Sequence, residues 1–261
     1  MKSLTTVFLL AGMALASPMM DRAKLELQAR TAARQGNRFR ASKDGGFGNA
    51  TATTVQSSNW AGAAIVTSGV TEVSGAFTVP KPSAPSGGSS NSEYCGAAWV
   101  GIDGYSNSAL IQTGVLWCVQ GNSYEYEAWY EYLPAALIAY SGFSVTAGNS
   151  VTVTVTKTSS TGGTTTISAN GKSASHTFSG QSTRLQGTSA EWIVEDFTSG
   201  NSLVPFADFG TVTFTGATAI INGATVQASA DSPVNIELES SSGSILTSTT
   251  ISGSTVTVVY Q

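Results

Sequence analysis

The sequence predicts an all-β protein, built as an antiparallel β-sandwich or barrel. After residue 53, about a dozen short segments alternate apolar residues with Thr, Ser and other polar residues, the period of a half-buried strand. Turn residues separate these segments roughly every 8–12 positions, as in sandwiches and barrels. No segment there has a convincing helical period. Because roughly 200 residues suit one β domain, residues 54–261 are predicted to form a single domain.

The first 53 residues differ from the rest of the chain. Residues 1–16 fit a secretory signal, with Lys2 as the positive charge, a short apolar run and a small-residue cleavage pattern. The run is too short to span a bilayer. Residues 17–53 are basic and poor in large apolar side chains, which predicts a propeptide; a disordered tail is the alternative. We therefore expect a secreted, extracellular protein that is not bound to a membrane.

Charge divides the chain at the same boundary. Residues 1–53 carry eight bases and three acids, a balance of +5, whereas residues 54–261 carry four bases and thirteen acids, a balance of −9. Residues 54–261 have too few bases to bind a phosphate backbone, which argues against nucleic acid as a partner. A basic segment beside it favours a propeptide that covers an acidic cleft and inhibits the protein. The small number of charged residues suits a protein that works at low pH. Protonation there removes the repulsion between carboxylates, and few cations remain to repel one another.

The predicted strands follow one another closely, with a long Pro/Gly/Ser loop over residues 80–91 and a tight Asn-Gly hairpin turn at residues 170–171. In order, they cover residues 59–66, 72–79, 95–103, 109–118, 124–132, 144–145, 150–156, 164–168, 173–178, 190–197, 211–220, 224–228, 234–239 and 246–260.

The hairpin over residues 95–118 carries the first candidate site. Two cysteines in an oxidising compartment predict one disulfide. If Cys95 faces Cys118 across the hairpin, the numbers of paired residues sum to 213. Side chains alternate along a strand, so Trp99, Asp103 and Gln112 then share one face. An indole, a carboxylate and an amide together indicate a site, although a disulfide-pinned hairpin with a polar outer face explains them equally well.

The residue types in the sequence argue against two common kinds of catalytic site, a serine triad and a zinc site. His176 is the only histidine, no Gly-x-Ser-x-Gly elbow accompanies it, and it is interpreted as an ordinary surface or turn residue. A three-histidine zinc site is impossible, and no cluster has metal-ligand spacing. We therefore expect neither a metal nor a cofactor.

Carboxylates are the remaining candidates. Three acids and an indole share one face of the strand over residues 124–132: Glu125, Glu127, Trp129 and Glu131. Such a set is costly in a core, so a cleft floor explains it, with a solvated edge strand as the alternative. In residues 190–197, Glu195 shares a face with Ile193, and an acid among apolar neighbours suits general acid–base work.

Several motifs occur in an order that resembles the eqolisins, the fungal glutamic peptidases. They are SNWAG at 58–62, WVGIDG at 99–104, ALIQTG at 109–114, AWYE at 128–131, AEWIVEDF at 190–197 and VPFADF at 204–209. The resemblance covers about residues 54–225. It implies a secreted, acid-active, pepstatin-insensitive endopeptidase made as a preproenzyme. It also implies a sandwich of two bent antiparallel sheets, of the concanavalin-like or jelly-roll type, with a cleft on a concave face.

The same resemblance assigns roles to individual residues. It implies Glu195 as the general base that activates water and Gln112 as the amide that stabilises the oxyanion. It implies four supporting residues that line the cleft or orient the pair: Trp99, Asp103, Trp129 and Glu131. Processing is implied near Thr54. The expected partners are polypeptide substrates and the chain's own propeptide, and a monomer is expected.

Two alternatives remain open at this stage. A β-sandwich glycoside hydrolase could use Glu127 and Glu131 as its paired acids, with Trp129 stacked on a sugar, although Gln112 would then have no role. A non-catalytic carbohydrate-binding module would use its Trp and Tyr side chains as a sugar platform.

Overall fold

The all-β prediction is confirmed. The computed structural model describes residues 40–41, 53–196, 198–199 and 202–261, and these contain strands, turns and loops but no helix. Within these ranges, accordingly, no helix could cross a membrane. The predicted signal over residues 1–16 lies outside the described residues, and so does the predicted propeptide over residues 17–53, apart from residues 40–41 and 53.

Nineteen strands make up the described chain. The first ten are β1 (Arg40–Ala41), β2 (Thr53–Ser57), β3 (Trp60–Val66), β4 (Val70–Thr78), β5 (Glu93–Ile102), β6 (Ile111–Gln120), β7 (Ser123–Tyr132), β8 (Ile138–Ala139), β9 (Ser150–Ser159) and β10 (Gly162–Ala169). The others are β11 (Lys172–Phe178), β12 (Ser189–Glu195), β13 (Thr198–Ser199), β14 (Ser202–Leu203), β15 (Thr211–Ile221), β16 (Ala224–Gln227), β17 (Val234–Leu238), β18 (Thr247–Ser252) and β19 (Thr255–Tyr260).

Two large sheets pack face to face as a sandwich. One has nine strands in the order β1-β2-β17-β3-β12-β5-β6-β7-β8, and the other has the order β11-β10-β9-β4-β15-β19-β18, with β16 paired to β15. Neighbours are antiparallel except β2 and β17, which run parallel. The short β13–β14 pair stands apart from both sheets. This arrangement confirms the sandwich and excludes a single closed barrel.

The core between the sheets follows from the alternation in the sequence. In β9, Val151, Val153 and Val155 are fully buried, while the threonines between them lie on the outer face. A fully buried Val or Ile side chain contributes about 1.5–3 kcal/mol. Trp192 joins the sheets further, because its Nε1 donates to Ser74 O at 2.9 Å.

The hairpin of β5 and β6 has the predicted register. Cys95 is disulfide-bonded to Cys118, and the ladder runs without interruption from Glu93–Gln120 to Ile102–Ile111. Val115 and Trp117 point into the core between the sheets. Even-numbered residues of β6 therefore point to the opposite face of the nine-stranded sheet, which we call the site face.

Some predicted strands were wrong in detail. Residues 144–145 form no strand, and residues 246–260 form two strands, β18 and β19, joined by a turn at residues 253–254. Strand β2 was missed, since it pairs in parallel with β17, about 180 residues later. Such a distant pairing leaves no local signal in the sequence.

Candidate active site

Strands β12, β5, β6 and β7 are neighbours, and their registers place side chains of the site face in three rows. The first row is Glu195, Ala97, Leu116 and Glu127; the middle row is Ile193, Trp99, Gly114 and Trp129; the third is Glu191, Gly101, Gln112 and Glu131. Glu195 and Gln112 thus share a face, two strands and two rows apart. Both are fully buried, as are Trp99 and Trp129.

Two glycines make room for the indole of Trp99 between these rows. A Cβ at Gly114 would lie 2.0 Å from Ala98 O and 2.6 Å from Trp99 Cβ. One at Gly101 would lie 2.9 Å from Trp99 Cζ3. Larger residues at either position would displace the indole.

Two neutral N–H donors hold the carboxylate of Glu195. Trp99 Nε1 donates to Oε2 at 2.8 Å, and Asn59 Nδ2 donates to Oε1 at 3.3 Å. Ser57 Oγ donates to Asn59 Oδ1 at 3.3 Å, which turns the amide NH₂ toward Glu195. The rings of Trp60 and Trp99 pack nearly perpendicular to each other, with centroids 5.0 Å apart. These two donors therefore fix the orientation of the Glu195 carboxyl group.

The amide of Gln112 is fixed by its neighbour in the third row. Nε2 donates to Glu131 Oε2, so the nitrogen faces the carboxylate and the oxygen faces away. Oε1 of Gln112 is buried and makes no hydrogen bond in the described protein. Because Nε2 carries two hydrogens, one N–H and the amide oxygen remain to bind a further group.

Asp103 lies elsewhere than the sequence suggested. It was expected to continue the strand face of Trp99 and to orient the catalytic pair, but the ladder ends at Ile102 and Asp103 has φ +70°. Its buried carboxylate accepts five hydrogen bonds of 2.7–3.0 Å, from the backbone N–H groups of Gln186, Gly187 and Thr188 and from the side chains of Thr188 and Asn107. Asp103 therefore ties the β5–β6 turn to residues 186–188.

Replacing Asp103 with Ala is expected to lower the free energy of unfolding by about 3–5 kcal/mol, because three backbone N–H groups lose their acceptor. Urea unfolding at acid pH measures the change. Asp208→Ala serves as the control: Asp208 Oδ1 accepts one bond, from Gly210 N at 2.8 Å in an exposed turn. Equal losses in the two variants would contradict the anchoring role.

The other residues predicted for the site face differ in how deeply they are buried. Trp129 is fully buried and Glu131 nearly so, whereas Glu125 and Glu127 are half-buried. The paired-acid alternative joined Glu127 and Glu131. These two acids lie in the first and third rows of β7, and Glu131 accepts a hydrogen bond from Gln112.

His176 lies on the other side of β7. Its ring stacks on Tyr130, with centroids 4.2 Å apart, and meets the edge of Phe178. Burial lowers the pKa of His176. Within the described residues, Glu93, Cys95 and Cys118 form the one group of three potential metal ligands, and the disulfide occupies both cysteines.

Two residues of the site face were missed from the sequence. Asn59 belongs to the motif at residues 58–62, but nothing local connects it with Glu195, 136 positions later. Glu191 is fully buried in the third row. Burial raises the pKa of Glu191 well above its usual range; a hydrogen-bonding contribution from Ser189 opposes this rise, and the charge of Asp103 adds to it. The alternation Glu191, Ile193, Glu195 was the available signal.

Comparison with known proteins agrees with this architecture. The Peptidase A4 family matches residues 58–260. The chain is 41% identical over 280 residues to aspergillopepsin-2 of Aspergillus niger, covering 99% of this chain and 98% of that protein. It resembles the crystal structure of scytalido-glutamic peptidase with a transition state analog inhibitor, with TM-score 0.69 and 34% identity over 78% of this chain and 98% of that one.

A further similar structure is SCP-B, a member of the eqolisin family of peptidases, in a complex with the tripeptide Ala-Ile-His. Its TM-score is 0.65 at 33% identity, over 78% of this chain and 98% of that chain. The resemblance drawn from the six motifs is thereby confirmed. The chain belongs to the peptidase A4 family and is a glutamic peptidase of the eqolisin type.

Proposed function

We propose that the protein is a secreted endopeptidase that acts in acid, with Glu195 as general base and Gln112 as oxyanion stabiliser. The observation that carries this proposal is that Glu195 and Gln112 lie on one buried face of the sheet. The carboxyl group of Glu195 is oriented by hydrogen bonds, and the amide oxygen of Gln112 accepts no hydrogen bond from the described residues. The two groups need no metal to hydrolyse an amide.

The proposed reaction begins with a water held between the two side chains. Gln112 Oε1 accepts one of its hydrogens, and Glu195 takes the other as the water oxygen attacks the scissile carbonyl carbon. The remaining N–H of Gln112 donates to the carbonyl oxygen as it becomes an oxyanion. Glu195 then gives its proton to the amide nitrogen, the C–N bond breaks, and a carboxylic acid and an amine leave.

The acid range of this activity is supported by the composition after residue 53, with thirteen acids and four bases. Trp99 and Trp129 would form rigid apolar walls for an extended substrate. Secretion is supported by the signal-like residues 1–16.

One assay tests the activity. The processed protein is incubated with denatured casein and with β-glucan at pH 2–5, with and without pepstatin. Pepstatin-resistant casein cleavage that disappears in Glu195→Gln is the expected result. Glucan cleavage, or no cleavage of either substrate, contradicts the proposal.

We further propose that the propeptide inhibits the enzyme. Its balance of charge opposes that of the remaining chain. Arg40–Ala41 pairs antiparallel with Val55 and Gln56 of β2, so this part of the segment adds to the edge of the nine-stranded sheet. A peptide covering residues 17–53 is expected to inhibit the processed enzyme reversibly at pH 6, more strongly at low salt. A scrambled peptide of equal charge is the control, and equal inhibition by both peptides would contradict a specific fit.

A further inference from the structure

Three buried hydroxyl groups lie in the core behind Gln112, and the proposed reaction uses none of them. Thr113 follows Gln112 in β6 and, because side chains alternate along a strand, points into the core between the sheets. Thr165 belongs to β10 of the eight-stranded sheet. Tyr140 comes directly after β8 and lies between the two threonines. Both threonines are fully buried, and Tyr140 is nearly so.

The hydroxyl group of Tyr140 joins the two sheets. It donates to Thr165 Oγ1 at 2.9 Å and lies 3.1 Å from Thr113 Oγ1. Thr113 Oγ1 in turn donates to the backbone oxygen of Trp129, in the neighbouring strand β7, at 2.7 Å. A continuous set of polar contacts, which we call the hydroxyl network, therefore runs from β10 through Tyr140 to β6 and β7.

The surroundings of the hydroxyl network are apolar. On the core face of β6, Thr113 stands between Ile111 and Val115, both of which are fully buried. Strand β10 approaches β6 closely here, since a Cβ at Gly163 would lie 2.6 Å from Ile111 Cδ1. A hydroxyl group is costly to bury unless it finds a partner, so packing alone would favour Val at both threonine positions. The three hydroxyl groups therefore suggest a role besides filling the core.

The hydroxyl network lies directly behind the amide that the proposed reaction uses. In the β6–β7 ladder, Gln112 pairs with Glu131. The next pair of that ladder is Thr113 with Tyr130, and Thr113 holds the peptide group that precedes Tyr130. A shift of β6 relative to β7 or to β10 would therefore disturb the hydroxyl network and the contact between Gln112 and Glu131 together.

We propose that Tyr140 is a positioning residue for Gln112 that acts from behind the sheet. Its hydroxyl group ties Thr113, and with it the strand that carries Gln112, to the eight-stranded sheet. The amide then meets the substrate carbonyl in a fixed position and stabilises the oxyanion without reorganisation of the donor. This role presupposes that Gln112 is the oxyanion stabiliser proposed above.

Tyr140→Phe removes the hydroxyl group and keeps the ring. We expect kcat on a fluorogenic peptide in acid to fall about tenfold, because a displacement of about 1 Å costs about 10²-fold and a smaller one is expected here. KM should change little, since the donor acts mainly in the transition state. Native kcat in a folded Tyr140→Phe enzyme overturns the proposal.

Tyr132→Phe is the matched control. Tyr132 ends β7, and its hydroxyl group donates to the backbone oxygen of Thr183 at 2.9 Å, away from the hydroxyl network. This variant also loses one tyrosine hydrogen bond, but it should keep the native kcat. A loss of kcat in Tyr132→Phe equal to that in Tyr140→Phe would reduce the effect to general weakening of the fold and overturn the proposal.

A second background separates positioning from stability. If Tyr140 acts through Gln112, then Tyr140→Phe should leave the residual activity of Gln112→Ala unchanged. A general loss of stability would lower activity by the same factor in both backgrounds, and that result overturns the proposal. If Gln112→Ala itself keeps native activity, the proposed role of Gln112 fails. If Gln112→Ala is inactive and Tyr140→Phe is fully active, the positioning role alone fails.

Variants of Thr113 test the network from its other end. Thr113→Val keeps the shape of the side chain without the hydroxyl group, and it should lower kcat as Tyr140→Phe does. Thr113→Ser keeps the hydroxyl group and should retain most of the native kcat. Because both changes break the same contact, Tyr140→Phe combined with Thr113→Val should lose less than the product of the two single losses. Fully multiplicative losses, or equal losses in Thr113→Ser and Thr113→Val, overturn the proposal.

A spectroscopic measurement covers variants without measurable activity. The Glu195→Gln chain, which is expected not to digest itself, is labelled with ¹⁵N, and the side-chain NH₂ signals of Gln112 are followed in acid. These signals should move in Tyr140→Phe and stay in place in Tyr132→Phe. Thr165→Val perturbs the hydroxyl network from the eight-stranded sheet and should move the same signals if Tyr140→Phe does not fold. Unmoved Gln112 signals in a folded Tyr140→Phe or Thr165→Val chain overturn the proposal.

Discussion

Glu195→Gln is expected to abolish peptide hydrolysis while the chain still folds. The amide oxygen can accept the indole N–H of Trp99 as the carboxylate does, at 2.8 Å in the native site, so the side chain keeps its place. What is lost is the ability to take a proton from water and to return it to the leaving amine. General acid–base catalysis contributes about 10²–10⁴-fold, and one group serves both steps here, so the loss should reach about 10⁴-fold.

The measurement is kcat/KM on a fluorogenic peptide in acid, together with circular dichroism and the thermal midpoint. Glu127→Gln is the matched control, since Glu127 lies in the same row of the same face, at its other end. It should retain most of the activity. If the folded Glu195→Gln enzyme kept activity comparable with that control, Glu195 could not be the base.

Gln112→Ala is the second large effect. It removes the N–H that would stabilise the oxyanion and the oxygen that would hold the water, and loss of one such donor costs about 10²–10³-fold in kcat. Because the donor acts mainly in the transition state, kcat should fall while KM changes little. Steady-state kinetics at several acid pH values separates the two parameters.

Glu131→Gln provides the comparison for this variant. It leaves Gln112 in place but replaces the carboxyl group that accepts from its Nε2 with an amide. The amide of Gln112 would then be oriented less firmly, so activity should fall by less than in Gln112→Ala. A larger loss in Glu131→Gln would assign the chemistry to Glu131 rather than to Gln112.

Local patterns were enough to predict much of this arrangement. One assumption, that Cys95 faces Cys118, gave the register of a ten-residue ladder correctly. Side-chain alternation then placed Trp99 and Gln112 on one face, and the same rule grouped Trp129 with Glu131. These inferences succeeded because hairpin partners are close in sequence and a strand has only two faces.

The remainder depends on contacts between distant segments. The neighbours of β12 are β3 and β5, about 90–130 positions earlier, so alternation alone could not bring Glu195 to Trp99 or Asn59. The departure of Asp103 from the strand depends on a left-handed backbone conformation that non-glycine residues adopt rarely. Its acceptor role depends on a loop more than eighty residues later. Family resemblance, rather than residue pattern, supplied Glu195 as the proposed catalytic partner of Gln112.

The parallel pairing of β2 with β17 has a consequence for maturation. From Thr53 to Ser57 the backbone is held in the sheet beside Val234–Leu238. A peptide bond must leave its sheet before a protease can bind it as an extended strand. Trimming from the amino terminus, by any enzyme, is therefore expected to slow sharply where β2 begins. The start of β2 would therefore determine the amino terminus of the mature chain. Mass spectrometry of the processed protein measures where that terminus lies.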